Sequence, residues 1–273
     1  MIPRDYITEW RAKAPWVYDF QIEQDLILSR ALVAIFSETL LNEPLRFRGG
    51  CALYKLHLPS SARYSEDIDL VQMQSGPAGQ ILEALRDVLD GWLGRPQWKQ
   101  TEGGITFTYR FESEDSPPVP LRLKIEINTR EHFEVHGTTQ IPYSVESRWF
   151  RGACRIGTYE FNEILATKLR ALFQRKKGRD LFDLATALSD PRADPEKIVD
   201  AFLRYMAHSR NPITRARFEE NLKSKIQDLQ FAADLGPLLA SGYSWNIEKA
   251  ASVIFDRILC LLPGEPWKGE SSD

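Results

Sequence analysis

Two aspartates one residue apart, Asp67 and Asp69, lie in the segment Arg63-Tyr-Ser65-Glu-Asp67-Ile-Asp69-Leu70, at the head of an apolar run. If that run is a strand, alternate side chains share a face and the two carboxylates stand close together. Carboxylates that close repel each other unless a cation lies between them. Hard divalent ions such as Mg²⁺ or Mn²⁺ take oxygen ligands, usually one or two carboxylates together with substrate phosphates. Upstream, Gly49-Gly50 separates a strand candidate, Leu45–Arg48, from a short helix candidate, Cys51–Leu58. Glycines at a strand-to-helix turn leave backbone N–H groups open at a helix N-terminus, which is a seat for phosphate. Paired carboxylates and a phosphate turn in one strand–turn–helix–strand unit point to phosphoryl or nucleotidyl transfer from an NTP.

Glu126 offers a third carboxylate. In Val119–Asn128 the apolar Leu121, Leu123, Ile125 and Ile127 face one way, while Arg122, Lys124, Glu126 and Asn128 face the other. If this strand neighbours Asp67–Gln72, Glu126 completes a metal-binding triad. In a two-metal mechanism it would help activate the attacking hydroxyl. Each feature also has an ordinary reading. An isolated Asp-x-Asp is more often a solvated turn, Gly-Gly is usually only a turn, and Glu126 beside Arg122 and Lys124 suits surface charge pairs. Singly the ordinary readings prevail; their joint order is much harder to obtain by chance.

The elements that must position these residues follow from periodicity. Residues 17–40 carry apolar positions at helical spacing and stop at Asn42-Glu43-Pro44. A second helix is expected over 78–93, strands over Gly104–Phe111 and Val119–Asn128, and a shorter strand over Ala153–Thr158. From Tyr159 onward only helices are expected, over 160–174, 180–189, 195–208, 214–229 and 246–262. The predicted class is α+β: a small mixed sheet flanked by helices in a domain spanning 1–157, then a helical bundle domain over 158–273.

The chain of 273 residues, 43% hydrophobic and 27% charged, is long enough for such a pair of cores. Its formal net charge of −3 excludes a globally basic nucleic-acid binder, so any polyanion contact must be local. Cys51, Cys154 and Cys260 are scattered and odd in number, which argues for reduced thiols in a cytoplasmic protein and against a disulfide framework or zinc site. The N-terminus lacks a basic stretch followed by an apolar core, so no secretory signal is expected there, and no apolar run is long enough to cross a bilayer.

At Phe47-Arg-Gly-Gly-Cys-Ala-Leu-Tyr-Lys55 and Arg63-Tyr-Ser-Glu-Asp67-Ile-Asp69-Leu70 the chain resembles the AbiEii/AbiGii-type nucleotidyltransferase toxins, of the DNA polymerase β-like superfamily. Their pattern is close to G-G-T-A-L followed by R-x-S-x-D-I-D-L. A second block, Glu163-Ile-Leu-Ala-Thr-Lys168-Leu-Arg-Ala, then Arg179-Asp180-Leu-Phe-Asp183-Leu184, is similar to the family's E-x-x-A-x-K-L-x-A and R-D-x-x-D-L segments. Cys51 departs from the family's usual Thr or Ser. The resemblance implies that Lys168 contacts NTP phosphates and that Asp183 helps shape the site, orientation of Lys168 being one way to do so. Read alone, Lys168 inside an apolar helical stripe must meet an anion or snorkel outward, and Asp180 is an acid favoured in a first helical turn.

On this reading Asp67 and Asp69 hold Mg²⁺ or Mn²⁺, Gly49, Gly50 and Lys168 cradle the triphosphate, and Arg63 stabilises developing charge. Ser65 lies beside the ligands, where an added phosphate or nucleotide would shut the site; the plainer role is a hydrogen bond to the turn. The resemblance implies a toxin that adds NMP to the 3′ end of tRNA and thereby blocks translation, in a type IV toxin–antitoxin or abortive-infection system with a cognate antitoxin. The basic loop Arg175-Lys176-Lys177-Gly178-Arg179 either grips an RNA backbone or is a solvated connection. The alternatives are a small-molecule acceptor such as an antibiotic, a protein hydroxyl, or an inactive antitoxin-binding scaffold.

Overall fold

A computed structural model describes residues 2–58 and 60–269. The chain divides into two compact units, Met1–Tyr159 and Glu160–Asp273. Unit 1 begins with α1 (Arg4–Trp10), α2 (Asp19–Ser37) and α3 (Thr39–Asn42), then strand β1 (Leu45–Arg48) and the short helix α4 (Gly49–Ala52), which widens into a π-helical turn over Leu53–His57. It continues through β2 (Asp67–Gln72), α5 (Gly79–Leu93), β3 (Gln97–Thr101), β4 (Gly104–Glu112), β5 (Pro120–Asn128), β6 (Thr138–Glu146) and β7 (Arg151–Tyr159). The seven strands form one mixed sheet in the order β3-β4-β5-β2-β1-β7-β6.

The alternating pattern of β4 and β5 sets the sheet's two faces. Ile105, Phe107, Tyr109, Leu123, Ile125 and Ile127 are buried, while Thr106, Thr108, Lys124 and Glu126 alternate with them on the opposite, more open face. Helix α2 packs against β5, β6 and β7, and α5 against β4. Periodicity predicts α2 as an amphipathic helix, but fourteen of its residues are buried and both sides meet protein. Its polar side chains therefore need partners, since a buried polar group without one is costly. Gln24 Nε2 donates to the Arg122 carbonyl at 2.7 Å, Ser29 Oγ donates to the Asp25 carbonyl at 2.7 Å, and Glu23 Oε2 accepts from the Glu114 N–H at 2.9 Å.

Unit 2 is built of helices: α6 (Phe161–Gln174), α7 (Gly178–Ala187), α8 (Pro195–His208), α9 (Arg215–Ile226), α10 (Leu229–Ala233) and α11 (Ile247–Arg257). Side chains cap the starts of several. Glu160 accepts from the N–H groups of Asn162 and Glu163, and Asp194 from those of Glu196 and Lys197, ahead of Pro195 at the first helical position. The core is aliphatic and aromatic, with Leu165, Leu169, Leu184, Phe202, Phe218 and Ile254 all at 0% exposure. Among the described residues no helix is long and apolar enough to cross a membrane.

Several expectations need correction. The helix read over 17–40 breaks at Glu38, whose extended backbone starts α3, with its side chain accepting from the Leu40 N–H. Gly49-Gly50 forms the first turn of α4 itself, so the expected order of turn and then helix collapses into one element. The last strand is longer than Ala153–Thr158, because Arg151 and Tyr159 also pair with β6. Strands β3 and β6 and helix α1 are additional elements.

Candidate active site

The site is built where β1, β2 and β5 run side by side. Strand β2 pairs antiparallel with β1, setting Arg48 opposite Asp69. It pairs parallel with β5, setting Asp67 opposite Lys124 and Asp69 opposite Glu126. Neighbours across a sheet share a face, as do residues two apart along a strand. Asp67, Asp69, Lys124, Glu126 and Arg48 therefore project from one face, while Ile68 and Leu70 of β2 anchor the other in the core. The strand adjacency on which the Glu126 reading depends is present.

Asp67 Oδ1 is buried and has no hydrogen-bond partner. Burial first, and the neighbouring Asp69 carboxylate second, push the Asp67 carboxyl up to about 6; Glu66 and Glu126 add to this and Lys124 opposes it. A buried carboxylate oxygen lacking a donor, beside a second carboxylate, suits a cation ligand. Glu126 is oriented differently: its Oε1 lies 2.8 Å from Lys124 Nζ. Among the described residues no group of three or more His, Cys, Asp and Glu side chains is arranged to hold an ion. Asp67 and Asp69 thus offer two candidate ligands for a divalent ion, and Glu126, opposite Asp69 on the neighbouring strand, is held by Lys124.

Gly49 touches this pair directly. Its φ is +82°, a conformation that disfavours any residue with a side chain, and a Cβ there would stand 2.9 Å from Asp69 Cγ and closer still to Oδ2. The glycine is needed twice, for the backbone turn and for the space that Asp69 fills. Helix α4 itself is only four residues long. Cys51 is 2% exposed, and burial pushes its thiol up to about 12, so it stays neutral.

Helix α4 and its π-helical extension are held from below by a pair that sequence reasoning missed. Lys55 Nζ lies 2.9 Å from Asp25 Oδ2 and 3.0 Å from Ser29 Oγ, and the Trp10 indole N–H donates to Asp25 Oδ1 at 2.9 Å. Burial, the largest single influence, works against the Lys55 charge, but Asp25, Tyr143 and Cys51 together raise the lysine well above its ordinary value. Lys124, expected only as a surface charge partner of Glu126, also lies opposite Asp67. Burial opposes its charge too, but the Glu126 hydrogen bond and then the carboxylates of Glu126, Asp67 and Asp69 raise its pKa.

The remaining candidates have the following surroundings. Arg63 is 3% exposed, donates from Nη1 to the Tyr64 carbonyl at 3.0 Å and stacks 5.5 Å above the Tyr54 ring. This interior setting limits its reach toward a substrate. Ser65 is partly exposed, two residues before Asp67.

In unit 2, Lys168 lies in the buried stripe of α6. Its Nζ is 2.8 Å from Asp183 Oδ2 and 3.4 Å from Asp180 Oδ1, both aspartates being fully buried. Asp180 also accepts from Arg175 Nε at 2.6 Å. Burial would raise Asp180, but Lys168 and Arg175 together hold it below the usual carboxylate range. Lys168 thus meets anions supplied by its own unit. In the basic loop, Arg175 pairs with Asp180, Lys176 with Asp228 and Lys177 with Asp234, so three of its four cations are matched by acids.

The family of nucleotidyltransferase AbiEii toxins of type IV toxin–antitoxin systems matches residues 30–253. No curated protein matches. Among solved structures, MenT4, a nucleotidyltransferase toxin from Mycobacterium tuberculosis, is similar with a TM-score of 0.68 at 17% identity, over 97% of this chain and 91% of its own. A protein from H. pylori described as a nucleotidyltransferase is similar with a TM-score of 0.56 at 19% identity, over 88% of this chain and 94% of its own. These likenesses show a shared fold. The family match covers most of the chain, including both groups of candidate residues, and the chain belongs to the AbiEii family of nucleotidyltransferase toxins.

Proposed function

We propose that the chain transfers a nucleoside monophosphate from an NTP to an acceptor hydroxyl, and that the acceptor is the 3′ end of tRNA. The observation that carries this reading is the placement of Asp67 and Asp69 on one face of β2, with an unpartnered buried oxygen on Asp67 and Gly49 packed against Asp69. Mg²⁺ or Mn²⁺, held by these two aspartates, would neutralise phosphate charge and orient the triphosphate. Backbone N–H groups at the start of α4, around Gly49 and Gly50, bind phosphate oxygens in this reading. The acceptor oxygen attacks the α-phosphorus in line, the bond from that phosphorus to the bridging oxygen breaks, and pyrophosphate leaves. Glu126, lateral neighbour of Asp69, takes the hydroxyl proton. Lys168 with Asp183 lies within the family match and is assigned to the same reaction on sequence grounds. Inhibition of translation, abortive infection, a cytoplasmic setting and a cognate antitoxin belong to this reading through the family.

A second reading has its own support. Because the loop over residues 175–179 spends three cations on acids of its own unit, it gives little sign of an RNA grip, which favours a small-molecule or protein hydroxyl as acceptor. The deciding experiment incubates the protein with each of four labelled NTPs, Mg²⁺, and either deacylated tRNA, total protein or candidate antibiotics. Extension of tRNA by one to a few nucleotides, lost in Asp69→Ala, is the expected result. Label on another acceptor selects the second reading. No transfer to any acceptor, or full toxicity of Asp69→Ala in cells, overturns the enzymatic assignment.

A further inference from the structure

Lys124 takes no part in the transfer outlined above, yet it stands in the middle of the carboxylate group. Its backbone pairs with Asp67 across the β2–β5 ladder, and Glu126, two residues on, pairs with Asp69. Adjacent strands lie about 4.8 Å apart, so all four side chains share a small patch of one face. The Lys124 ammonium is 2.8 Å from Glu126, and the two side chains are 30% and 42% exposed. Three carboxylates so placed repel one another, and a positive charge among them relieves that repulsion. A divalent ion would answer the same need with twice the charge. Ammonium and ion are drawn to the same group of carboxylates, and they repel each other.

We propose that Lys124 is a resident counter-cation of this carboxylate group, which holds Glu126, screens Asp67 and Asp69 in the metal-free protein, and by its charge weakens their hold on a divalent ion. The proposal rests on the reading of Asp67 and Asp69 as metal ligands. It accounts for the orientation of Glu126, which turns to the lysine and leaves Asp67 and Asp69 as the ion's protein ligands. It also implies a set point: the chain binds its ion more weakly than the bare carboxylates would, so the ion is held firmly only when the triphosphate adds its own oxygens.

The test is calorimetric titration of the nucleotide-free full chain with Mn²⁺ at fixed pH and ionic strength. Lys124→Met keeps an apolar stem on the strand, and Lys124→Gln supplies a polar stem in case the first variant folds poorly. Both are expected to bind Mn²⁺ about tenfold more tightly than wild type, a gain of about 1.4 kcal/mol, consistent with a neighbouring charge partly screened by solvent. Lys124→Arg should bind as wild type does. Without Mn²⁺ the Met and Gln variants should melt at a lower temperature than wild type, with the deficit closing as Mn²⁺ is added. Asp67→Asn combined with Lys124→Met should abolish the binding. Unchanged or weaker affinity in the Met and Gln variants overturns the proposal while Asp67-dependent binding by wild type leaves the metal reading standing. Absence of Asp67-dependent binding in every protein overturns both.

Discussion

Replacing Gly49 by alanine tests how closely the phosphate turn and the metal ligand are joined. Two costs are separable. The first is conformational: with φ at +82°, an alanine pays about 1–2 kcal/mol for the left-handed region. The second is steric. The new Cβ would stand 2.9 Å from Asp69 Cγ where ordinary contact begins at 3.4 Å, and the Oδ2 overlap is larger. Asp69 must retreat, by on the order of an ångström, and misplacement on that scale costs about a hundredfold in rate. Gly137 supplies the control. Its φ is +92° and a Cβ there meets nothing within 4 Å, so Gly137→Ala carries the backbone cost alone. Urea denaturation should show both variants destabilised by about 1–2 kcal/mol, with Gly49→Ala losing further stability from the collision. Single-turnover transfer from a labelled NTP should fall by about a hundredfold in Gly49→Ala and stay near wild type in Gly137→Ala. Equal activity in the two variants would refute the claim that the Gly49–Asp69 packing sets the position of the carboxylate.

Three other perturbations have defined outcomes. Glu23 is buried, and burial raises its carboxyl from 4.5 to about 7. A raised folded pKa means the native state holds this proton more tightly, so stability declines as pH rises from about 4.5 through 7, by about 3 kcal/mol in all. Glu23→Gln should therefore be more stable than wild type at pH 8 and lose that advantage at pH 4, and a pH-independent difference in urea midpoints would contradict this. Lys168→Met leaves two fully buried aspartates without their lysine and should cost about 3–5 kcal/mol. Adding Asp183→Asn should recover part of the loss, and an unchanged melting temperature in the single variant would refute the buried-network account. Asp67→Asn should abolish transfer while leaving the ion-free protein at least as stable as wild type at pH 8, because repulsion from Asp69 is relieved; a lower melting temperature would count against the crowding of the two carboxylates.

The central strands were legible in the chain because apolar burial imposes a period of two. Leu45–Arg48, Asp67–Gln72 and the alternation over 120–128 could be read directly, and with them the shared face of Asp67 and Asp69. Strand β3 was not, since all five of its residues are exposed and no apolar alternation marks it. Strand β6 was hidden by Pro142, which interrupts the alternating Ile141, Tyr143 and Val145, and by burying only Val145. The support beneath α4 was invisible for another reason: Asp25 looks like one polar position on a helix, and its partner Lys55 lies thirty residues away in sequence. The basic loop showed its charge density openly, but the acids that answer it, Asp228 and Asp234, come some fifty residues later. Local pattern reports which face a residue takes; pairing between distant segments must be seen in three dimensions.

The two outermost strands govern how the protein behaves at high concentration. A sheet border is a template on which a stranger's backbone can add itself, and accumulated protein is exposed to that hazard. Here β6 offers Pro142, which has no N–H for an incoming strand, and β3 is five residues long and carries Lys99. Both borders are poor templates for growth, which favours a sheet that stays finite at seven strands.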